Sequence, residues 1–566
     1  MKQLVLALAG LLGLVTLVPA ASTLSLTAIG TLKTGLFADA DPRYAEINAY
    51  DPDGQRVYVV NPASGVIDII DVSNPAAPKR PTAPNDVLNL VAACEGVLGK
   101  DACPIETGNE PNAVVISGNL LAVAVGNPIR TNNGHAMFFE LQGASLPVFL
   151  AAVEVGALPD MITLTEDGRY ALTANEGEPN ADYTLDPPGS VSIIDVATIS
   201  TPGGARTVGF DRFDEPGQRR KLENDGVRIF GPGATVAQDL EPEYIATDRN
   251  KAYVTLQENN AIAIINIDEA TVEKIVGLGL KDHSLLENAL DVRDNDGVAT
   301  ILPKSVFGMY QPDAITTFRD NGKTYLVMAN EGDAREYLGS PGFVEASRVG
   351  TNVANPPVLD PTVFPNAATL KTNAQLARLN VSRASGDTDG DGDFDRLDVF
   401  GARSISIRDH NGTLIWDSQN CFERLSRDQD IDNPAASPLF SKTLFNVSNS
   451  NSTRDNRSDD KSIEPESVVL GVVGGTRYAF VGLERDSGIA VFDLTSPEAP
   501  AVVTYVNNRK FKNPAGAFLA CGNTVDCGDL GPEGLTFVPA SQSPNGKALL
   551  IVSNEVSATN TIWTIE

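Results

Sequence analysis

The feature that most constrains the fold of this chain is an internal repeat. Each unit opens with Pro or an acidic residue, continues through an apolar strand and a turn, and enters a second strand that ends in Asn-Glu or a close relative. A third strand then reads like Ser-Ile-Ile-Asp-Val, as at residues 192–196. Seven units open near residues 45, 110, 159, 241, 312, 464 and 531. Short alternating strands with Gly, Asn and Asp turns exclude a helical solenoid and predict a β-propeller with one unit per blade.

The first and last segments of the chain together complete one unit of this repeat. A fourth strand follows most units, but the seventh unit ends at Glu566 without one, and residues 24–32 form a strand that has no partner of its own. We therefore expect an all-β fold, a seven-bladed β-propeller closed by the N-terminal strand, because closure removes exposed strand edges. Residues 22–566 are expected to form this single domain.

Residues 1–21 have the pattern of a secretory signal peptide, with basic Lys2, an apolar run and small residues at 18–22. A membrane anchor is the alternative, but roughly 15 apolar residues are few for a span. No later run is apolar enough to cross a bilayer, and no hydrophobic tail precedes Glu566. We expect a periplasmic or secreted protein with no membrane span after cleavage.

The five cysteines fit an oxidising compartment, where disulfides persist. Cys94 with Cys103 and Cys521 with Cys527 would each close a short loop, which leaves Cys421 over. Five free thiols and a zinc site are the alternatives, although no His lies beside either pair.

The net charge is −30, from 43 basic and 73 acidic residues. A surface this acidic repels nucleic-acid phosphates, so we expect no nucleic acid among the partners. Cations are the natural counter-partners.

Strand direction predicts where the long insertions lie. Because consecutive strands of a blade are antiparallel, first strands begin, second strands end and blades connect at one end of the propeller, its mouth. The insertions at 215–240, 277–311, 332–400 and 419–463 all fall there. Loops gathered on one face of a rigid scaffold usually carry function.

Two sets of carboxylates are expected at this mouth. Those that start first strands are Asp160, Glu243, Asp313, Glu466 and Glu533, and those that end second strands are Glu176, Glu258, Glu331, Glu484 and Glu555. Like charges this close are costly unless a cation or an Arg compensates them. A metal or cationic ligand is one interpretation; the other is that these acids bind backbone amides and lock neighbouring blades.

The sharpest local motif is an Asp-rich loop. It places oxygens with the spacing of a calcium loop, with Gly at the sixth position for the tight turn, through Asp387, Asp389, Asp391, Asp393, Asp395 and Asp398. Calcium is the predicted ion and another divalent metal the alternative, although Asp398 stands where a Glu normally binds. An acidic solvated loop without an ion is the other interpretation. A second acidic patch at 291–297 lacks the full register.

Histidine is scarce, and His283 lies in a mouth insertion, where acid–base catalysis and surface hydrogen bonding are the two interpretations. Arginines in or beside mouth segments could bind phosphate or carboxylate bidentately, but we expect them to pair with the surrounding acids. They are Arg335, Arg403, Arg457, Arg485 and Arg509. No nucleophile elbow, zinc-binding helix motif or phosphate-binding Gly-rich loop occurs.

Several long segments together resemble the bacterial choice-of-anchor I family, which is related to mesenchyme-specific cell-surface glycoproteins. They are residues 158–161, 174–179, 231–244, 308–313 and 457–461. The resemblance implies an exported propeller that many relatives tether through a C-terminal anchor, a feature this sequence departs from. Some relatives are labelled alkaline phosphatases, but the family has no agreed catalytic residues to carry over.

Two functions follow as hypotheses. The first is an exported calcium-binding propeller that acts by binding, with cell-envelope or surface-layer components as candidate partners. The second is a metal-dependent phosphoesterase, similar to alkaline phosphatases or phytases, that acts on phosphate esters at the mouth. Its candidate catalytic residues are Asp313, Glu331 and His283.

Overall fold

The structure is a computed structural model that describes residues 24–566 except 39, 41, 42, 202, 203, 352 and 354. The expected signal peptide at 1–21 lies outside these residues. Within them the chain is all-β and forms seven four-stranded antiparallel sheets, one for each repeat unit in the sequence. We number the sheets 1 to 7 in chain order.

The strands follow one another in space as they do in the chain. The first strands are Asn48–Asp51, Glu110–Ser117, Pro159–Leu164, Ile245–Asp248, Ile315–Asp320, Pro465–Val473 and Pro532–Val538. The second strands are Arg56–Asn61, Leu120–Gly126, Tyr170–Asn175, Lys251–Leu256, Lys323–Asn330, Thr476–Leu483 and Ala548–Asn554. The third strands are Val66–Asp71, Asn133–Glu140, Ser190–Asp195, Ala261–Asn266, Ser404–Asp409, Gly488–Asp493 and Thr559–Ile565. The fourth strands are Val87–Asn89, Val148–Ala157, Ala205–Gly209, Thr271–Gly277, Leu414–Asp417, Ala501–Val506 and, from the N-terminus, Leu26–Lys33.

The N-terminal strand completes sheet 7. Leu26 lies opposite Ile565 and Lys33 opposite Thr559 in an antiparallel ladder. The pairing continues beyond the strand, where the Ser25 amide donates to the Glu566 carbonyl at 2.8 Å.

The core consists of apolar layers between neighbouring sheets rather than one central core. The second and third strands are buried almost throughout, because Val, Ile, Ala and Phe side chains alternate between two packed faces. Separate apolar clusters join each sheet to the next. Sheet 7 packs on sheet 1 in the same way, through Leu549 and Ile551 against Val57 and Val59.

The long insertions and some of the shorter loops carry the remaining elements. Short strands pair at Leu280–Asp282, Phe307–Met309 and Asp398–Val399, at Glu336–Tyr337 with Phe343–Val344, and at Ala346–Arg348 with Asn380–Ser382. The α-helices are Leu90–Leu98, Gln218–Asn224, Val236–Asp239, Ala367–Leu370 and Cys421–Asp428, and the 3-10 helices are Pro62–Ser64, Val196–Thr198, Asp211–Asp214 and Leu286–Asn288. Every helix in the described part of the chain is too short to cross a bilayer.

Candidate functional site: the acidic mouth and the Asp-rich loop

The first strands bring one residue per sheet to an equivalent position. The Glu46 amide donates to the Val60 carbonyl at 3.2 Å, and the Glu243 amide makes the corresponding bond to Thr255 at 3.1 Å. In sheets 2, 3, 6 and 7 the ladder has a β-bulge at this point, which turns the side chain out of the regular alternation. We call the set the first-strand ring; it comprises Glu46, Asn112, Asp160, Glu243, Asp313, Glu466 and Glu533.

A second set lies directly beside it. Glu176, Glu484 and Glu555 each donate their backbone amide to the carbonyl of the residue just before the first strand of the same sheet, at 2.8–2.9 Å. Glu258 and Glu331 occupy the corresponding positions in sheets 4 and 5. These five residues form the second-strand ring. The topology therefore gathers both predicted sets of carboxylates at one end of the sheets, the mouth.

Lysine and arginine side chains of the chain itself pair with the second-strand acids of sheets 5 to 7. Lys461 Nζ lies 2.5 Å from Glu331 Oε1 and 3.4 Å from Glu464 Oε2. Arg485 Nε contacts Glu464 at 2.7 Å and Glu484 at 3.0 Å. Arg43 pairs with Glu555. Glu331, Glu466 and Glu484 place carboxylate oxygens within 4.8 Å of one another, but two of the three already contact a lysine or an arginine.

The acids at the mouth that the sequence analysis missed include Glu241 and Glu464. Glu464 is fully buried and forms ion pairs with Arg457 and Arg485. These two arginines and Lys461 hold the pKa of Glu464 well below its usual range, although burial alone would raise it. Glu241 pairs with Arg335 at 2.9 Å. Both are the first Glu of a Glu-Pro-Glu sequence whose second Glu enters the first-strand ring. The shared Glu-Pro-Glu sequence could have predicted that both residues lie at the mouth.

The other mouth arginines mostly pair as predicted. Arg335 binds Asp239 and Glu241, Arg403 binds Glu423 at 2.6 Å, and Arg457 and Arg485 both bind Glu464. Arg509 instead donates to the backbone carbonyls of Arg485 and Asn451, at 2.8 and 2.6 Å.

The second-strand acids of sheets 3 and 4, Glu176 and Glu258, differ from those of sheets 5 to 7 because no lysine or arginine of the described chain pairs with them. The first-strand acids of sheets 3 to 7 also have no ion-pair partner within the described chain. We call five of these unpaired carboxylates, from sheets 3 to 5, the five-carboxylate cluster: Asp160, Glu176, Glu243, Glu258 and Asp313. Burial and then the neighbouring carboxylates raise the pKa of Glu243 well above its usual value. Burial and Asp160 raise the pKa of Asp313 to about 8, and burial raises the pKa of Glu258 to about 7. Unpaired acids of this kind either hold protons or bind a cation.

His283 is enclosed rather than exposed to the mouth. Its side chain is 2 % exposed, its Nδ1 lies 2.6 Å from the Asn288 carbonyl, and its Nε2 packs against Gly308. Burial lowers its pKa to about 3, so the ring is neutral at physiological pH. The other two catalytic candidates, Asp313 and Glu331, lie at the mouth.

The Asp-rich loop is an exposed turn within insertion 332–400. Gly390 and Gly392 adopt φ values of 83° and 99°, which glycine tolerates best, and their amides donate to the two carboxylate oxygens of Asp387. Asp387, Asp389 and Asp395 offer oxygens within 4.8 Å of one another. These are all oxygen ligands, the type that calcium prefers.

A second oxygen group shares Asp395 and includes a residue from outside the motif. Asp360, Asp393 and Asp395 also have oxygens within 4.8 Å of one another. Asp360 is held there because its amide donates to the Phe394 carbonyl at 3.0 Å, next to the Leu359–Phe394 bridge. The Asp-rich motif could not predict Asp360, because Asp360 lies outside the motif and reaches the loop through a tertiary contact.

Two residues of the motif lie outside these groups. Asp398 is 1 % exposed, and Arg396 binds both of its oxygens, at 2.6 and 2.8 Å. Asp398 lies apart from the turn because the short strand Asp398–Val399 pairs with Phe307–Met309. Asp391 accepts the Asp393 amide at 3.1 Å.

The predicted disulfides are confirmed. Cys94 bonds Cys103 and Cys521 bonds Cys527, while Cys421 is free.

Comparison with known proteins identifies the family. The model of the choice-of-anchor I domain matches residues 46–497. A mesenchyme-specific cell surface glycoprotein of Strongylocentrotus purpuratus is 30% identical over 336 residues, 54% of this chain and 42% of the relative. Gigasin-3a of Magallana gigas is 27% identical over 198 residues, 34% of this chain and 66% of the relative. The matches therefore span less than two thirds of either relative.

Among solved structures, the β-propeller domain of Cps50 (Swd1) from Myceliophteria thermophila aligns with 95% of this chain and 99% of its own, at 9% identity and a TM-score of 0.42. The family assignment rests on the sequence match, which covers most of the chain. This protein belongs to the choice-of-anchor I domain family.

Proposed function

We propose that this protein is an extracellular module that binds calcium through its Asp-rich loop, on a seven-bladed β-propeller closed by the N-terminal strand. The family and the two disulfides indicate an extracellular or cell-surface protein. A cell-surface role for this chain agrees with the printed name of its sea-urchin relative. Components of the cell envelope are the partners that we propose.

The observation that carries the calcium proposal is the convergence of Asp387, Asp389 and Asp395 on one point of an exposed turn. Asp360 and Asp393 extend the oxygen set, and calcium takes six to eight oxygen ligands at about 2.3–2.6 Å. Hydrogen bonds from Thr388 hold the pKa of Asp395 below its usual range, so this shared carboxylate is charged at neutral pH.

The ring order of the propeller is supported by the packing of sheet 7 on sheet 1 and by the pairing of Leu26–Lys33 with Thr559–Ile565. We do not extend the proposal to phosphoesterase activity, because His283 is enclosed and Glu331 is engaged by Lys461.

The proposal is tested by titrating the purified protein with calcium in a calorimeter. The melting temperature with and without a chelator is the second measurement. Asp389→Asn is the informative variant, because within the described residues its side chain accepts one hydrogen bond, a long one of 3.3 Å from the Asp391 amide. We expect Asp389→Asn to weaken calcium binding by about tenfold. Asp101→Asn, an exposed change of equal charge, is the control. Calcium binding that is equally tight in wild type and Asp389→Asn would refute the loop as the site.

A further inference from the structure

We propose that an acidic cleft at the mouth binds a linear organic polycation, a chain of ammonium groups separated by short alkyl segments. The cleft consists of two adjoining cavities, of about 380 Å³ and about 660 Å³, that share Arg130 and Glu178 in their walls. Five acids line the smaller cavity and four line the larger, with Glu178 common to both, whereas the basic residues that line them are Arg130 and Arg335. The proposal goes beyond the proposed function, since it assigns a different ligand to residues outside the Asp-rich loop.

One buried carboxylate oxygen in the wall of the larger cavity lacks a partner. Glu258 is 8 % exposed and lines this cavity, and its Oε2 atom receives no hydrogen bond within the described chain. A buried carboxylate without a donor or a counter-charge is strongly unfavourable, because it has lost its hydration. A donor from outside the chain would supply the missing interaction.

The two arginines of the cleft are engaged with other acids. All three guanidinium nitrogens of Arg335 donate to Asp239 or Glu241. Arg130 pairs with Glu178 in the wall that the two cavities share. The cleft therefore keeps a surplus of carboxylates, and its field attracts cations from solution.

The mouth already holds one ammonium group of the chain itself between carboxylates. Lys461 Nζ lies 2.5 Å from Glu331 Oε1 and 3.2 Å from Asp333 Oδ1, and Asp333 also lines the larger cavity. Glu331 follows the second strand of sheet 5, and Glu258 holds the corresponding position in sheet 4. An ammonium group of a ligand would donate to Glu258 as Lys461 donates to Glu331.

The carboxylates of the cleft are spread out rather than gathered around one point. Within the described residues, none of the groups of three acids whose oxygens lie within 4.8 Å of one another includes an acid that lines the cleft. A single metal ion requires several oxygens at about 2.0–2.6 Å, so the cleft does not offer it a ligand set. A linear polycation carries its charges at intervals and matches separated carboxylates.

Apolar side chains share the cleft with the acids. Pro62, Pro128 and Leu158 line the smaller cavity, and Pro179 and Leu338 line the larger one. Leu338 is 76 % exposed, so it offers apolar surface to a ligand. Alkyl segments pack on such surface while the charged groups that they join stay with polar partners. The combination of acids and apolar side chains favours a polyamine or a lysine-rich segment over an inorganic cation.

The test is a calorimetric titration of the full chain with spermidine at low ionic strength. Calcium is first removed with a chelator, and the chelator is removed by dialysis, so that the outcome is independent of the proposed function. We expect spermidine to bind more tightly than putrescine, which carries fewer ammonium groups, and we expect added salt to weaken the binding.

Trilysine is titrated in parallel to distinguish the two sources of such a ligand. Tighter binding of trilysine than of spermidine would assign the cleft to a lysine-rich segment of a partner protein. The reverse order would assign it to a free polyamine.

Glu258→Gln is expected to weaken spermidine binding by about tenfold, because it removes a charged acceptor and keeps the side-chain shape. Asp160→Asn tests the smaller cavity and is expected to weaken binding by about threefold to tenfold. Two variants with the same change in charge are the controls: Glu269→Gln, exposed between the third and fourth strands of sheet 4, and Asp389→Asn in the Asp-rich loop. Both controls are expected to leave the affinity within about twofold of wild type. Absence of spermidine and trilysine binding, or equal weakening by Glu258→Gln and the two controls, would overturn the proposal.

Discussion

Arg335 donates one guanidinium nitrogen to Asp239 Oδ1 and another to the Asp239 backbone carbonyl, both at 2.7 Å. The two side chains are almost completely buried, 1% and 0% exposed. Arg335 belongs to insertion 332–400, whereas Asp239 ends a helix just before sheet 4. The pair therefore joins the insertion that carries the Asp-rich loop to insertion 215–240, just before sheet 4.

Replacing Arg335 by Met is expected to lower the free energy of unfolding by about 3–5 kcal/mol, because Asp239 and Glu241 lose their buried counter-charge. Arg335→Lys is expected to recover only part of this, since an ammonium cannot reproduce the forked geometry. Urea denaturation measures both. Arg427→Met is the control; its partner Asp428 is 55% exposed, and we expect a change below about 1 kcal/mol. Equal losses for Arg335→Met and Arg427→Met would contradict the assignment.

The repeat was predictable from sequence because it depends on local alternation. The runs ending at Asp71 and Asp195 each became the third strand of a sheet, and the acid of the Pro-Glu or Pro-Asp pair that opens five of the repeat units entered the first-strand ring. The positions of the insertions were predicted, but the contacts that they make were not, because the partner residues are remote in sequence. Asp360 joins the Asp-rich loop and Arg396 withdraws Asp398 from it, and neither follows from the spacing of the motif.

Removal of residues 24–33 tests the role of the N-terminal strand. Leu24 and Leu26 are each 7% exposed and pack between sheets 6 and 7, so their loss is expected to cost roughly 3–6 kcal/mol. The truncation also exposes the edge of Thr559–Ile565, which favours aggregation. Thermal melts with light scattering check both effects against a protein that begins at residue 24. Leu26→Ala, expected to cost about 2–5 kcal/mol, is the milder variant. An unchanged melting temperature after truncation would show that sheet 7 is stable without this strand.

The five-carboxylate cluster predicts a pH dependence in the presence of a chelator. Burial raises the pKa of Asp160 to about 6, of Glu258 to about 7 and of Asp313 to about 8, so the folded protein holds these protons more tightly than the unfolded chain. This stabilisation is complete below about pH 4 and is lost as the pH rises through about 6 to 8. We therefore expect the melting temperature to fall between about pH 5 and pH 8.

Asp313→Asn removes one of these titrating groups, so its melting temperature is expected to fall less steeply over the same pH range. Exposed Asp101→Asn should follow the wild type. A melting temperature that rises with pH in wild type, or an identical slope in Asp313→Asn, would contradict the prediction.

Lys461 and Glu331 provide a test of charge compensation within the mouth. Lys461→Met is expected to cost about 3–5 kcal/mol. Within the described residues it leaves Glu331 with Gln257 as its single donor, at 2.8 Å, while Glu464 keeps its two arginines. In a Glu331→Gln background the same substitution is expected to cost less, by about 1–3 kcal/mol, since no unpaired charge is left behind. A double-mutant cycle in urea denaturation measures this difference. Strictly additive losses would mean that Lys461 acts on Glu464 or Asp333 rather than on Glu331, its contact at 2.5 Å.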